Sequence, residues 1–227
     1  MIVGLNISDG LKARRTNSSR DAAWVAESAR ITADREMIDA ALKQNPEHAG
    51  AYLDSSIRAR MSDRDFVIAA LAHDSISPGL LDTLASSADL GIALDAVRNP
   101  ATTSETLTRI YRTHPNRDYF FQALAVHRHT PTGILREIHQ NPGANSSFDR
   151  WLAVNPATPH DVLEQIATTS TDNDVIGQLL ANPALDCDLL TQIGVRLTKP
   201  PMRDPSNPNV ARATELLPDV CLAKAKL

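Results

Sequence analysis

The stretch 152-LAVNPATPHDVLEQIA-167 reads as the end of one helix, a sharp corner and the start of a second helix. Its corner has a chemical logic. Asn tolerates the left-handed conformation that often follows a helix end, so Asn155 is expected to close the first helix. Pro156 cannot continue that helix. Thr158 is expected to cap the next helix with its hydroxyl, and Pro159 suits its first position, where a missing N–H costs nothing. Asp161 stands where a capping box would place an acid reaching back to the Thr158 N–H. Val162, Leu163 and Ile166 then share one helical face.

The stretch has siblings. An aliphatic-Leu pair with another aliphatic residue three positions on recurs at Leu80-Leu81 with Leu84, Ile134-Leu135 with Ile138, and Leu189-Leu190 with Ile193. Thr106-Leu107 with Ile110 varies it. The anchoring leucines 81, 107, 135, 163 and 190 are separated by 26, 28, 28 and 27 residues. Leu216-Leu217 with Val220 extends the series, and Tyr52-Leu53 with Ile57 is a degraded copy. Self-similarity at such a period signals stacked helical units. A first helix precedes each anchor-bearing second helix, as in 62-SDRDFVIAALAHD-74 and 172-DNDVIGQLLAN-182. Most begin with Ser, Asp or Asn and turn apolar, a start signal followed by a core-facing stripe. Related corners are Asn99-Pro100 with Thr102 and Glu105, Thr130-Pro131, Ser77-Pro78, and Asn182-Pro183 with Asp186 as a shifted cap.

The pattern Ala-x-Asn-Pro-x-Thr-Pro-x-x-x-Leu-x-x-Ile-Ala, as in Ala153–Ala167, resembles the bacterial leucine-rich repeat variant family, and it looks like HEAT-type and armadillo-type solenoids. The resemblance is good over residues 94–195 and looser from 33 to 222. It implies an all-α, right-handed superhelix and a habit of binding other macromolecules. That family's units are usually shorter, so two full helices per unit are expected here. Some members carry a cysteine cluster for an iron–sulfur centre. This chain lacks it, so no cofactor is carried over, and the resemblance supplies no catalytic residue.

The expected organisation is an N-terminal arm and capping helix over 1–32, with the helix at Ser19–Ile31. A solenoid of six to seven helix pairs follows over 33–197. A proline-rich loop and a C-terminal capping helix make up 198–227. Capping ends are expected because an open stack exposes its apolar end.

Charge narrows the partner. Residues 65–195 carry 7 Lys+Arg against 15 Asp+Glu, whereas residues 196–227 carry 6 against 3. An acidic body repels phosphate backbones, so nucleic acid is a poor default partner and a DNA-repair helical-repeat protein is the weaker alternative. Lysine is absent between Lys43 and Lys199. Genome base composition accounts for that, and so does the suitability of arginine for bidentate contacts.

Few residues stand in a pattern that carries chemistry. His127-x-His129, with Glu137 or His139, could supply metal ligands, but His127 occupies the corner slot of Asn155 and reads as a corner residue. Cys187 and Cys221 form no CxxC pair and no evident disulfide framework, which suggests reduced thiols and a cytoplasmic location. Trp151 and Phe120-Phe121 read as core. No phosphate-binding glycine loop, nucleophile elbow or metalloprotease motif is present. The expectation is a non-enzyme without metal or cofactor.

The remaining candidate surface lies on the second helices. Between their apolar anchors they present Asp82, Thr108, Arg109, Arg136, Glu137, Glu164, Gln165 and Gln192. Stacked, these would form a polar ladder, either a solvated face or a surface for another protein, with no membrane partner. A bacterial immunity protein that neutralises a toxin or effector is the specific expectation, as a monomer or weak homodimer.

Overall fold

In a computed structural model, residues 7–141, 147–199 and 206–224 are described, and they are all-α: thirteen helices and no strand among them. The chain divides into two compact units, residues 1–101 and 102–227.

The first unit holds α1 (Ile7–Gln44), α2 (Ala49–Ala59), α3 (Arg64–Ala70), α4 (Pro78–Ala85) and α5 (Leu90–Arg98). α1 runs through residue 32 without a break, so most of the expected arm and the expected capping helix belong to one 38-residue helix. No proline interrupts it, and the Asn17-Ser18-Ser19 cluster is too weak a signal to stop a helix on its own. Residues 1–6 of the arm lie outside the described residues. The later part of α1 packs on α3 through Glu27–Arg64 (2.6 Å) and Arg30–Asp65 (2.8 Å), and its Ile38 is buried. Trp24 and Val25, within the expected capping helix, are 68% and 58% exposed.

Local chemistry sets the later helix starts. Asp63, Ser77 and Asp89 accept the first free N–H groups of α3, α4 and α5. Asp54 of α2 in turn receives the N–H of Ser77 at 3.0 Å and also its hydroxyl, which ties the start of α4 to α2. Gly50 lets α2 approach the same corner, since a Cβ there would lie 2.7 Å from the Ser75 carbonyl oxygen.

The second unit holds α6 (Ser104–Thr113), a 3₁₀ turn (Arg117–Phe120), α7 (Phe121–Val126), α8 (Thr132–Gln140), α9 (Ser147–Val154), α10 (His160–Thr169), α11 (Asn173–Leu179), α12 (Cys187–Leu197) and α13 (Pro208–Lys224). The first helices α7, α9 and α11 pack in series, and the second helix α10 packs on α12. α13 lies on α11 and α12. Leu53, Leu81, Leu107, Leu135, Leu163 and Leu190 are all buried, while Leu217 is half-buried. The side chain of Val220 and residues 200–205 of the proline-rich segment lie outside the described residues. Phe120 and Phe121 are buried as expected, but Trp151 is only half-buried.

The corners are built differently from the sequence expectation. Asn155 is buried, and its amide donates to the carbonyls of Ala125 (2.7 Å) and His127 (3.1 Å). Its Oδ1 accepts the Ala157 N–H at 2.9 Å. Asn182 does the same with Ala153, Asn155 and Ala184, and in the first unit Asn99 does so with Leu71, His73 and Ala101. Asn99 has φ −61° and ψ 127°, an extended conformation. Asparagine therefore serves this corner with its side chain, satisfying carbonyls left open at the preceding corner. A left-handed backbone is not what Asn99 supplies.

The caps shift as well. The Thr158 hydroxyl donates back to the Leu152 carbonyl at 2.7 Å, and Thr130 does the same to Leu124. α10 and α8 begin one residue later, after Pro159 and Pro131, without a side-chain cap. In α6 the cap is Thr103, not Thr102, and it accepts from the Thr106 N–H. Ser77 and Asp186 cap as expected.

Candidate partner-binding surface

The eight ladder residues fall in both units, Asp82 in the first and the other seven in the second. Asp82 is half-buried on α4. On α6, Thr108 and Arg109 are half-buried, and the Thr108 hydroxyl donates to the Ser104 carbonyl of its own helix at 2.7 Å.

Arg136 and Glu137, adjacent on α8, point to opposite neighbours. Arg136 holds Asp161 of α10 through two hydrogen bonds of 2.8 and 2.9 Å. Glu137 receives two from Arg112 of α6, at 2.7 and 2.6 Å. Planar guanidinium matches carboxylate in this forked geometry, which lysine cannot reproduce. The hydrogen bonds from Arg112 hold the Glu137 carboxyl below its usual range, and those from Arg136 do the same for Asp161. Asp161 thus answers Arg136 and not the Thr158 N–H, which bonds the Asn155 carbonyl. These pairs are exposed, so their effect on stability is small, and their geometry aligns α6, α8 and α10 side by side.

Glu164 and Gln165 on α10 and Gln192 on α12 are exposed. Gln165 approaches His139, whose imidazole is held 2.9 Å from the Asp149 carboxylate. That hydrogen bond to Asp149, reinforced by its charge, raises the His139 pKa against the opposing effect of burial. Beside Gln192 lies an open groove of about 450 Å³ between α10 and α12, lined by Thr168, Thr191, Gln192, Val195, Arg196 and Lys199. The repeat pattern reached only Gln192 of the ladder here, because Thr168, Val195, Arg196 and Lys199 lie a turn or more beyond the ladder positions.

The remaining candidates resolve into structure. His127 keeps the accepting part of the asparagine's corner role, its Nδ1 accepting the His129 N–H at 3.1 Å. His129 Nδ1 lies 3.0 Å from the Thr102 carbonyl oxygen. No group of three His, Cys, Asp or Glu side chains suited to a metal ion occurs among the described residues. The cysteines correct the expectation of free thiols: Cys187, opening α12, is bonded to Cys221 of α13 across 34 residues. Their separation in sequence gave no pattern, and only the return of α13 onto α12 brings them together. In the first unit, a cavity of about 240 Å³ is lined by Arg35, Asp95 and Arg98 among others, and burial pushes the Asp95 carboxyl pKa up.

No helix among the described residues is long and apolar enough to cross a membrane. Comparison with protein-family models, with curated proteins and with solved structures finds no match to this chain.

Proposed function

We propose that this chain is a non-catalytic, protein-binding α-solenoid whose partner lies across the second helices α10 and α12. The solenoid reading rests on the recurrence of one corner contact at Asn99, Asn155 and Asn182, together with the buried leucine anchors. The observation that carries the binding reading is a division of labour. Arg112, Arg136, Glu137 and Asp161 brace helices against each other, while Glu164 and Gln192 are exposed and make no side-chain bond among the described residues. Repeat proteins bind by summing modest contacts over such neighbouring helices. Within this class the specific proposal is an inhibitor of the immunity type, which covers the working surface of a toxin or effector.

Affinity capture from the native host, followed by reconstitution with the purified partner, tests the proposal. The expected result is a stoichiometric protein complex that loses about tenfold or more in affinity on a Glu164→Ala, Gln192→Ala double substitution. Absence of any stoichiometric partner would overturn it. The alternative is a nucleic-acid-binding helical-repeat protein. The acidic composition of residues 65–195 disfavours it, and a gel shift with DNA or RNA at low salt, where backbone attraction is strongest, decides it.

A further inference from the structure

The groove between α10 and α12 combines three properties that define a ligand. First, it offers exposed apolar surface: Val195 is 48% exposed on the flank of α12. Second, its hydroxyl groups are occupied. Thr168 donates to the Glu164 carbonyl and Thr191 to the Cys187 carbonyl, each on its own helix, so neither has a proton to offer a ligand. Third, its charge is of one sign. Among the described residues, Arg196 and Lys199 line it and no acid does. These two are also the first basic residues after the acidic stretch 65–195, so the charge of the chain reverses at the groove. The Arg196 guanidinium donates one hydrogen bond to the Ala167 carbonyl, which fixes it across the gap between the helices. A guanidinium has five N–H donors, so others remain for an incoming acceptor.

We infer that this groove docks an acidic segment of a partner protein, one that sets an aliphatic side chain against Val195 and carboxylates against Arg196 and Lys199. The inference rests on the protein-binding reading above and names the chemistry of the segment. An aliphatic group recovers the apolar area, and carboxylates are the acceptors that suit a guanidinium and an ammonium in adjacent positions. A basic segment would meet like charge at the groove, and a neutral one would leave both cations uncompensated.

The probe is a pair of fluorescein-labelled peptides on the full chain, Glu-Leu-Glu-Leu-Asp-Leu and its amide counterpart Gln-Leu-Gln-Leu-Asn-Leu. At low salt the acidic peptide is expected to bind about tenfold more tightly than the amide peptide. Hydrogen-exchange protection should appear over 191–199. Lys199→Gln and Val195→Asp should each weaken the acidic peptide severalfold, with helical circular dichroism unchanged. Equal affinity for the two peptides, or acidic-peptide binding that neither substitution weakens, would overturn the inference. A natural partner that depends on Glu164 and Gln192 yet binds the two groove variants as it binds the wild type would overturn the groove while leaving the protein-binding reading in place.

Discussion

At the scale of single residues, the corner asparagine is the most informative position. Asn155 satisfies two carbonyls and one N–H in a buried setting. Its replacement by alanine leaves those groups without partners, at about 1–3 kcal/mol for a buried unsatisfied group. Asn155→Asp should be worse, because it keeps the acceptor, loses both donors and buries a charge. Asn155→His should be the mildest of the three, because His127 already fills the equivalent slot and accepts the N–H two residues on. Urea denaturation of the three variants checks the order. If Asn155→Asp is as stable as Asn155→His, the side-chain account of the corner is wrong.

At the scale of elements, two devices hold the second unit together beyond its leucine core. The bond between Cys187 and Cys221 closes a loop of 34 residues, which on chain-entropy grounds stabilises α13 on its neighbours by about 4 kcal/mol. Cys187→Ser, or reduction of the wild type, should lower the denaturation midpoint by a matching amount, and hydrogen exchange should accelerate first in α13. The N-terminal end of α13 should stay the better protected, since Asn207 and Asn209 are buried and bound to Asn173. The second device is His139 with Asp149, which joins α8 to α9. Its raised folded-state pKa makes its contribution complete below an unfolded value of about 6.5 and lost as pH rises through the folded value. The second unit should therefore be more stable at pH 6 than at pH 8. Thermal melts of His139→Gln should lose this part of the pH dependence, and an unchanged pH profile would contradict the pairing.

Legibility in the sequence followed the range of each interaction. Leucine anchors and helix starts such as Ser77 and Asp186 depend on a few neighbouring residues, so periodicity and capping rules reached them. Thr158 misled because Thr-Pro is a good cap-and-start signal locally. The carbonyl that competes for its hydroxyl, on Leu152, is six residues back. The pairing of Arg136 with Asp161 and of Cys187 with Cys221 spans 25 and 34 residues and is set by how helices return beside one another. The repeat defines the ladder as a set of positions. Which of them bind neighbouring helices and which face solvent depended on partners outside the pattern.

At the scale of the whole molecule, two kinds of charge serve two purposes. Arginine–carboxylate forks connect second helices, and a surplus of acid over residues 65–195 sets the sign of the remaining charge. The proposed partner surface occupies what these contacts leave exposed on α10 and α12. The most direct measurement places a photo-crosslinking amino acid at Glu164, Gln165 or Gln192, with control positions at Asp118 and Arg128 in the same unit, and illuminates the chain in its native host. The account predicts one discrete protein adduct from the α10 and α12 positions and none from the controls. Adducts that form equally from all positions, or from the controls alone, would contradict it.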